Sequence, residues 1–309
     1  MQLKISIGTR KSTLAVWQAK WVASRLEMTG AICELVLMDT KGDRMLNVAI
    51  PEIGSKGVFT EDLEHALAAG TIDLAVHSAK DMPSELPKGF EIIAYSPREQ
   101  AHDVLVSDKA IKNLNHLIIG TSSVRRVAIL KHYYPGIRTV SVRGNLQTRI
   151  KKLESSKLDA VMLAFAGVQR LGLAKSIKYS FPLDKVIPAV GQGSMAIEVS
   201  SQLDRKKREL IRDSVNHPAT TCCLLAERAF LSTIQGGCSI PAFAHARHSD
   251  GKLFIQGGVV SLDGSRKIQR ELYGEVTQPE EIGVRLGKEV MKLGGKEILD
   301  EIKSNGRES

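Results

Sequence analysis

The chain is 309 residues long, 43% hydrophobic and 25% charged, a balance that excludes a disordered chain, a collagen-like fibre and a coiled coil. No apolar run comes near the roughly 20 residues of a membrane helix, and four cysteines without a C-x-x-C pair are too few for a disulfide framework. The formal charge is +9, yet Lys109 to Leu153 holds ten Lys and Arg and no Asp or Glu, so the rest of the chain sums to −1. Such a stretch is either a solvated basic face or a site for an anionic partner, whether nucleic acid, acidic lipid or a polycarboxylate. Met1-Gln2-Leu3-Lys4 lacks the basic and long apolar regions of a signal segment, so a cytoplasmic location with reduced thiols is expected.

Leu3 to Ile7 alternates at period two and predicts a strand. Ser12 then caps a helix whose apolar stripe is read as Leu14, Trp17, Trp21 and Leu26. Ile32 to Met38 predicts a second strand, and Asp39 to Gly57, with Gly42, Pro51, Gly54 and Gly57, a long loop. A helix from Thr60 to Ala69 leads to the strand Leu74 to His77.

The pattern restarts at Asp103 to Val106 and continues through Leu117 to Ile119, a helix at Ser123 to Lys131, Arg138 to Val142, a helix at Leu146 to Leu153, and Ala160 to Leu163. Strands alternating with helices predict parallel sheets covered on both faces, and the expected fold is two α/β lobes with mixed, mainly parallel sheets and a cleft between them. Gly191-Gln192-Gly193 reads as a flexible passage before the strand Met195 to Val199 and a charged helix at Leu203 to Val215. Pro218 opens a helix that Gly236-Gly237 stops. Three strands (242–247, 253–260, 269–275) and a helix from Glu280 to Leu293 predict a small C-terminal α+β domain. The expected domains are 1–97 with 196–216, 98–195 carrying the basic cleft, and 217–309.

Gly120-Thr121-Ser122-Ser123-Val124-Arg125-Arg126 follows a predicted strand and opens a predicted helix, where unpaired N–H groups, hydroxyls and guanidinium groups together suit an anion. Arg143-Gly144-Asn145 repeats the arrangement after the next strand, with Arg149 beyond it, and Arg10 follows Ile7-Gly8-Thr9 in the same way. Arginine at such turns favours planar carboxylate or phosphate, which its fork grips at both oxygens. Ser78, Lys80 and Asp81 share the turn after Val76-His77. Asp81 either pairs with a neighbouring cation or serves as an ionised carboxylate that stabilises a developing cation or moves a proton. Cys238 follows Gly236-Gly237 on a loop, as an inert or a reactive thiol, whereas Cys33, Cys222 and Cys223 read as packing residues. His245 and His248 have no partnering Cys or acidic cluster, so no metal site is expected.

Eight segments in order resemble the porphobilinogen deaminase family, along nearly the whole chain. They are Ile7-Gly8-Thr9-Arg10-Lys11-Ser12-Thr13-Leu14-Ala15, Lys56-Gly57-Val58-Phe59-Thr60, Val76-His77-Ser78-Ala79-Lys80-Asp81-Met82-Pro83 and Gly120-Thr121-Ser122-Ser123-Val124-Arg125-Arg126, followed by Arg143-Gly144-Asn145-Leu146-Gln147-Thr148-Arg149, Ala166-Gly167-Val168-Gln169-Arg170-Leu171-Gly172, Pro188-Ala189-Val190-Gly191-Gln192-Gly193 and Gln235-Gly236-Gly237-Cys238-Ser239-Ile240-Pro241.

The resemblance implies two lobes like those of periplasmic binding proteins, with a third α+β domain. It implies a monomeric transferase that joins four porphobilinogen molecules head to tail, releases ammonia each time, and frees hydroxymethylbilane for tetrapyrrole synthesis. Growth starts from a dipyrromethane cofactor held by a thioether to Cys238. Asp81 is then the catalytic carboxylate. Ser78, Lys80, Thr121, Ser122, Ser123, Arg125, Arg126, Arg143 and Asn145 seat the cofactor with it, Arg10, Arg149 and Arg170 hold substrate carboxylates, and Lys56 and Phe59 belong to a loop over the site. Pyrroles bearing acetate and propionate explain a basic stretch without nucleic acid or membrane. Two readings compete: a non-catalytic anion-binding protein of the same two-lobed fold, which gives Gly236-Gly237-Cys238 no role, and a nucleic-acid-binding protein, which 5% aromatic content and the lack of a known motif argue against.

Overall fold

Strand β1 (Lys4–Arg10) forms where the alternation predicts it, and Ser12 caps helix α1 (Thr13–Glu27) by accepting from the Ala15 N–H. The computed structural model describes residues 2–44, 60–237, 240–249 and 251–305. The face of α1 that packs inward is Ala15, Ala19, Val22, Ala23 and Leu26, while Leu14, Trp17 and Trp21 are only half-buried. Small residues let the helix lie close on the sheet, so the stripe of large residues marks the flank of the contact and not its centre. Of the loop expected over Asp39 to Gly57, Lys41–Arg44 is a helical turn, α2. Lys56 and Phe59 lie outside the described residues.

The chain divides into two compact units, Met1–Glu99 with Gly193–Thr221 and Gln100–Gln192 with Cys222–Ser309. In the first, β1, β2 (Ile32–Met38), β3 (Leu74–Ser78), β4 (Phe90–Tyr95) and β10 (Met195–Ser200) build one sheet in the order β2-β1-β3-β10-β4. The pairs of β1 with β2 and β3 are parallel, and those of β10 with β3 and β4 antiparallel. Residues from α1 and α7 (Arg205–Val215), Ala19, Val22, Leu26, Ile211 and Val215, pack with Leu74 and Val76 on one side. Leu63 and Leu67 of α3 (Glu61–Ala68) pack with Ala75 on the other. A strand covered on both faces is apolar throughout, which is why Leu74 to Val76 does not alternate.

The second unit repeats that topology. Strands β5 (Asp103–Val106), β6 (Ile118–Gly120), β7 (Arg138–Val140), β8 (Ala160–Ala164) and β9 (Ile177–Ser180) take the order β7-β6-β8-β5-β9. Again the β6 pairs are parallel and the β5 pairs antiparallel. The antiparallel insert β5 is the first strand after the chain passes into the second unit, and β10 the first after it returns to the first unit. Helices α4 (Val124–Tyr133), α5 (Leu146–Ser155) and α6 (Phe165–Arg170) cover this sheet. Strands β4 and β9 had no clear sequence signature. Both end their sheets, and β9 has only four residues, too few for alternation to register.

The same unit holds α8 (Pro218–Thr233) from Cys222 onward and the antiparallel sheet β11 (Ala242–Ser249), β12 (Lys252–Val260), β13 (Lys267–Glu275). Helix α9 (Pro279–Val290) ends earlier than the predicted helix, in a π-helical turn (Met291–Gly295). There Gly294 adopts φ 110°, and α10 (Lys296–Asn305) follows. Glycine reaches that positive φ without steric cost, so Gly294 kinks the path between the two helices.

The Gly191-Gln192-Gly193 passage is not flexible. Gln192 is 1% exposed, and its Nε2 donates to Ala101 O at 2.6 Å and Asp103 Oδ1 at 2.9 Å. A Cβ on Gly193, which holds φ +101°, would stand 2.5 Å from Glu99 O, so glycine here meets a tight, fixed turn. Fully buried Glu227 accepts from the N–H groups of Gly191 at 2.8 Å and Ala246 at 2.7 Å. Glu227→Ala should therefore lower unfolding stability by about 3 kcal/mol, since two buried N–H groups lose their acceptor. Urea unfolding of the full chain measures this, and a loss below about 1 kcal/mol would show that the two amides find other partners.

Candidate functional site

In a parallel pair the carboxyl ends of adjacent strands lie at one end of the sheet, and β1 and β3 are such a pair. Arg10, half-buried, closes β1, and β3 runs into a 3₁₀ turn, Ala79–Asp81. On that turn Lys80 is half-buried and Asp81 exposed. Ser78 is held from behind, as buried Gln18 of α1 donates from Nε2 to its Oγ at 3.0 Å. Beneath them His77 Nε2 lies 2.9 Å from Glu198 Oε2, both side chains buried. The neighbouring Glu64 carboxyl is pushed up, chiefly by its own burial. Arg10, Ser78, Lys80 and Asp81 thus gather on adjacent strand ends of the first unit.

In the second unit the turn after β6 carries Thr121, buried, then Ser122 and Ser123. The Thr121 N–H donates to Val140 O at 2.9 Å and the Ser122 hydroxyl to Val142 O at 2.6 Å, which ties this turn to the end of β7 and the segment beyond it. Ser123 caps α4, accepting from the Arg126 N–H, and Asn145 caps α5, accepting from the Thr148 N–H at 2.9 Å. Arg149 donates from Nε to Gly144 O at 2.8 Å. Arg143, Arg149 and Arg170 are half-buried. Ser123 and Asn145 therefore do local work as caps alongside any ligand role.

Arg125 and Arg126 are 5% and 4% exposed, and both grip Asp103, which is wholly buried. Arg125 Nη2 donates to Asp103 Oδ2 at 2.7 Å and Arg126 Nη2 to Oδ1 at 2.8 Å. Burial alone would raise the Asp103 pKa; the two guanidinium charges and their hydrogen bonds outweigh it and hold the carboxyl well below the usual carboxylate range. A carboxylate depressed on folding stabilises the native state above its unfolded pKa of about 4, and that contribution fades as pH falls through the folded value. Between pH 6 and pH 3 the urea midpoint should fall, and Asp103→Asn should lack this part of the slope. An unchanged slope in the variant would contradict the assignment.

Asp103 escaped the sequence reading, although a carboxylate at the head of a fully buried strand requires a cationic partner. Gln18 escaped it too, as a polar residue on an inward helix face. Cys238 lies outside the described residues.

The arginine pair also tests the fit of an anionic cofactor. The Nε atoms of Arg125 and Arg126 are buried without a hydrogen-bond partner among the described residues. Two guanidinium groups against one carboxylate leave one net positive charge. A ligand carboxylate meets both conditions, so the residues present fit a group bearing acetates and propionates.

Fold and site together define a two-lobed, mixed-sheet α/β protein with arginines and hydroxyls collected on turns after parallel strands. The family model for the porphobilinogen deaminase dipyrromethane cofactor-binding domain matches residues 5–208, and that for the porphobilinogen deaminase C-terminal domain matches residues 221–292. Porphobilinogen deaminase of Desulfosudis oleivorans is 50% identical over 97% of this chain and 98% of its own length, and that of Cytophaga hutchinsonii 49% identical over 98% of each. Among solved structures, the methionine-binding protein MetQ aligns with 68% of this chain and 89% of its own at 13% identity, with a TM-score of 0.44. The chain belongs to the porphobilinogen deaminase family, transferases of tetrapyrrole synthesis. No helix among the described residues is long and apolar enough to cross a membrane.

Proposed function

We propose that this chain joins four porphobilinogen molecules head to tail on a dipyrromethane tethered by a thioether to Cys238, releasing one ammonia per addition, and then frees hydroxymethylbilane by hydrolysis. When bound, the dipyrromethane supplies the free pyrrole α-carbon that receives the first building block. The protein's task is then charge management. Each porphobilinogen brings an acetate and a propionate, and the loss of ammonia places positive character on its pyrrole nitrogen.

Asp81, exposed on its 3₁₀ turn, accepts from pyrrole N–H groups and stabilises that cation. A carboxylate fixed on a turn pays little reorganisation at the moment charge develops, which makes this the largest single contribution asked of any side chain. Lys80 and Ser78 flank it, and Gln18 keeps the Ser78 hydroxyl in place. Arg10, Arg143, Arg149 and Arg170 neutralise side-chain carboxylates, and Arg125 and Arg126 do so through the donors that Asp103 leaves unused. Thr121, Ser122, Ser123 and Asn145 add hydroxyl and amide donors at strand ends and helix starts. Lys56 and Phe59 belong to the segment proposed to cover the growing chain. The protein works as a cytoplasmic monomer.

The observation that carries this reading is the family match across both domains, joined to an exposed carboxylate on the turn that the resemblance marks as catalytic. Incubation with porphobilinogen tests it: one ammonia should appear for each building block consumed, with a linear tetrapyrrole as product. Binding without ammonia release would leave the chain an anion-binding protein.

A further inference from the structure

The cluster around Asp103 holds more order than charge balance requires. On Arg125, Nη2 is taken by Asp103 and Nη1 donates to Ile187 O at 2.9 Å. On Arg126, Nη2 is taken by Asp103 and Nη1 donates to Met162 O at 2.8 Å. The same corner of each guanidinium is thus gripped, and on each the same group is left, a buried Nε–H with no acceptor among the described residues. Gln192, itself buried, donates to Asp103 Oδ1 at 2.9 Å and steadies the carboxylate against rotation.

A carboxylate serving only as a counter-ion could meet either arginine by any edge. This one meets both symmetrically, one oxygen to each, and cancels one of two positive charges. What remains is a single net positive charge and, among the N–H groups still uncommitted, a matching buried Nε–H on each guanidinium, in a site sheltered from water, where unpaired donors are costly and directional.

We propose that Asp103 is a positioning residue for cofactor loading: it fixes the rotation of the Arg125 and Arg126 guanidiniums so that their Nε–H groups are jointly set for one pyrrole carboxylate. This rests on the reading that a dipyrromethane is bound here, and it adds to that reading a residue that touches neither cofactor nor substrate. Its effect passes through the arginines and therefore falls on assembly of the tethered primer and on the stability the primer confers.

The full chain, prepared without primer and then given porphobilinogen, tests this by intact mass against time and by thermal midpoint before and after loading. The wild-type chain should gain the mass of two linked pyrroles and a higher midpoint. Asp103→Asn should load at least about tenfold more slowly, and its rise in midpoint on loading should be less than half the wild-type rise. If Asp103 only balances buried charge, the variant will be less stable in both states yet load at the wild-type rate with the full rise, and the proposal falls. Should Asp103→Asn fail to fold, Gln192→Met, which keeps all three charges, decides the matter. Loading slowed about threefold supports the positioning role, and an unchanged rate overturns it. A wild-type chain that never gains mass defeats the underlying cofactor reading instead.

Discussion

Asp81→Asn is expected to fold as the parent chain does and to lose turnover by roughly 10²- to 10³-fold, the usual cost of removing one preorganised charge-stabilising group. The side chain is solvent-exposed on a three-residue 3₁₀ turn, and an exposed substitution of this kind shifts stability by no more than about 0.5 kcal/mol. Turn geometry does not depend on the carboxylate either, because the Ala79 N–H bonds to Ser194 O at 2.9 Å and the Met82 N–H to Ala79 O at 3.3 Å. Asparagine keeps the size and one acceptor oxygen but removes the negative charge. A loss confined to the rate, with KM within about threefold of the parent, would place the charge in the transition state. Near-normal turnover would remove Asp81 from the chemistry.

The second large effect concerns sulfur. Cys238→Ala should carry no tethered primer and show no sustained turnover, because no other thiol can replace it. Burial, and after it the charge of Glu27, pushes Cys33 up to about 11. Cys222 is also pushed up, by burial and then by Glu280, and its Sγ contacts Val276 O at 3.3 Å. Cys223 is buried. A nucleophilic thiol must be both ionised and reachable, and these three fail on one count or both. Cys238 follows Gly236-Gly237 in the sequence, beyond the end of α8. Primer-dependent product formation by Cys238→Ala at even a tenth of the parent rate would contradict this account.

Much of the fold was legible because local chemistry and tertiary structure agree. Ser12 caps α1 as its pattern predicts, while Ser123 and Asn145, read only as members of anion-binding turns, also cap α4 and α5. The alternation of strands and helices produced two mixed α/β sheets, as expected. The failures have a common cause. Leu14, Trp17 and Trp21 looked like the centre of the α1 contact because hydrophobicity was weighed without closeness of approach, which favours Ala19 and Ala23. Gly191-Gln192-Gly193 looked loose because the partners that pin Gln192, Ala101 and Asp103, are about ninety residues away.

The site shows the same division. Residue types on strand-end turns announced an anion, since helix starts, hydroxyls and arginines have that use wherever they meet. Asp103, which lies 22 and 23 residues from the arginines it holds, could not be assigned from spacing. Nor could the sequence say that Arg125 and Arg126 are interior groups whose Nε–H is buried without an acceptor among the described residues, because the direction in which a helix start faces depends on the sheet beneath it.

The intact mass of freshly purified, unmodified protein bears most directly on the central claim that a pyrrole primer is held by one sulfur. The account predicts a mass above that of the bare chain by two linked pyrroles, lost in Cys238→Ala. Folded protein at the bare-chain mass that gains nothing when given porphobilinogen would contradict it.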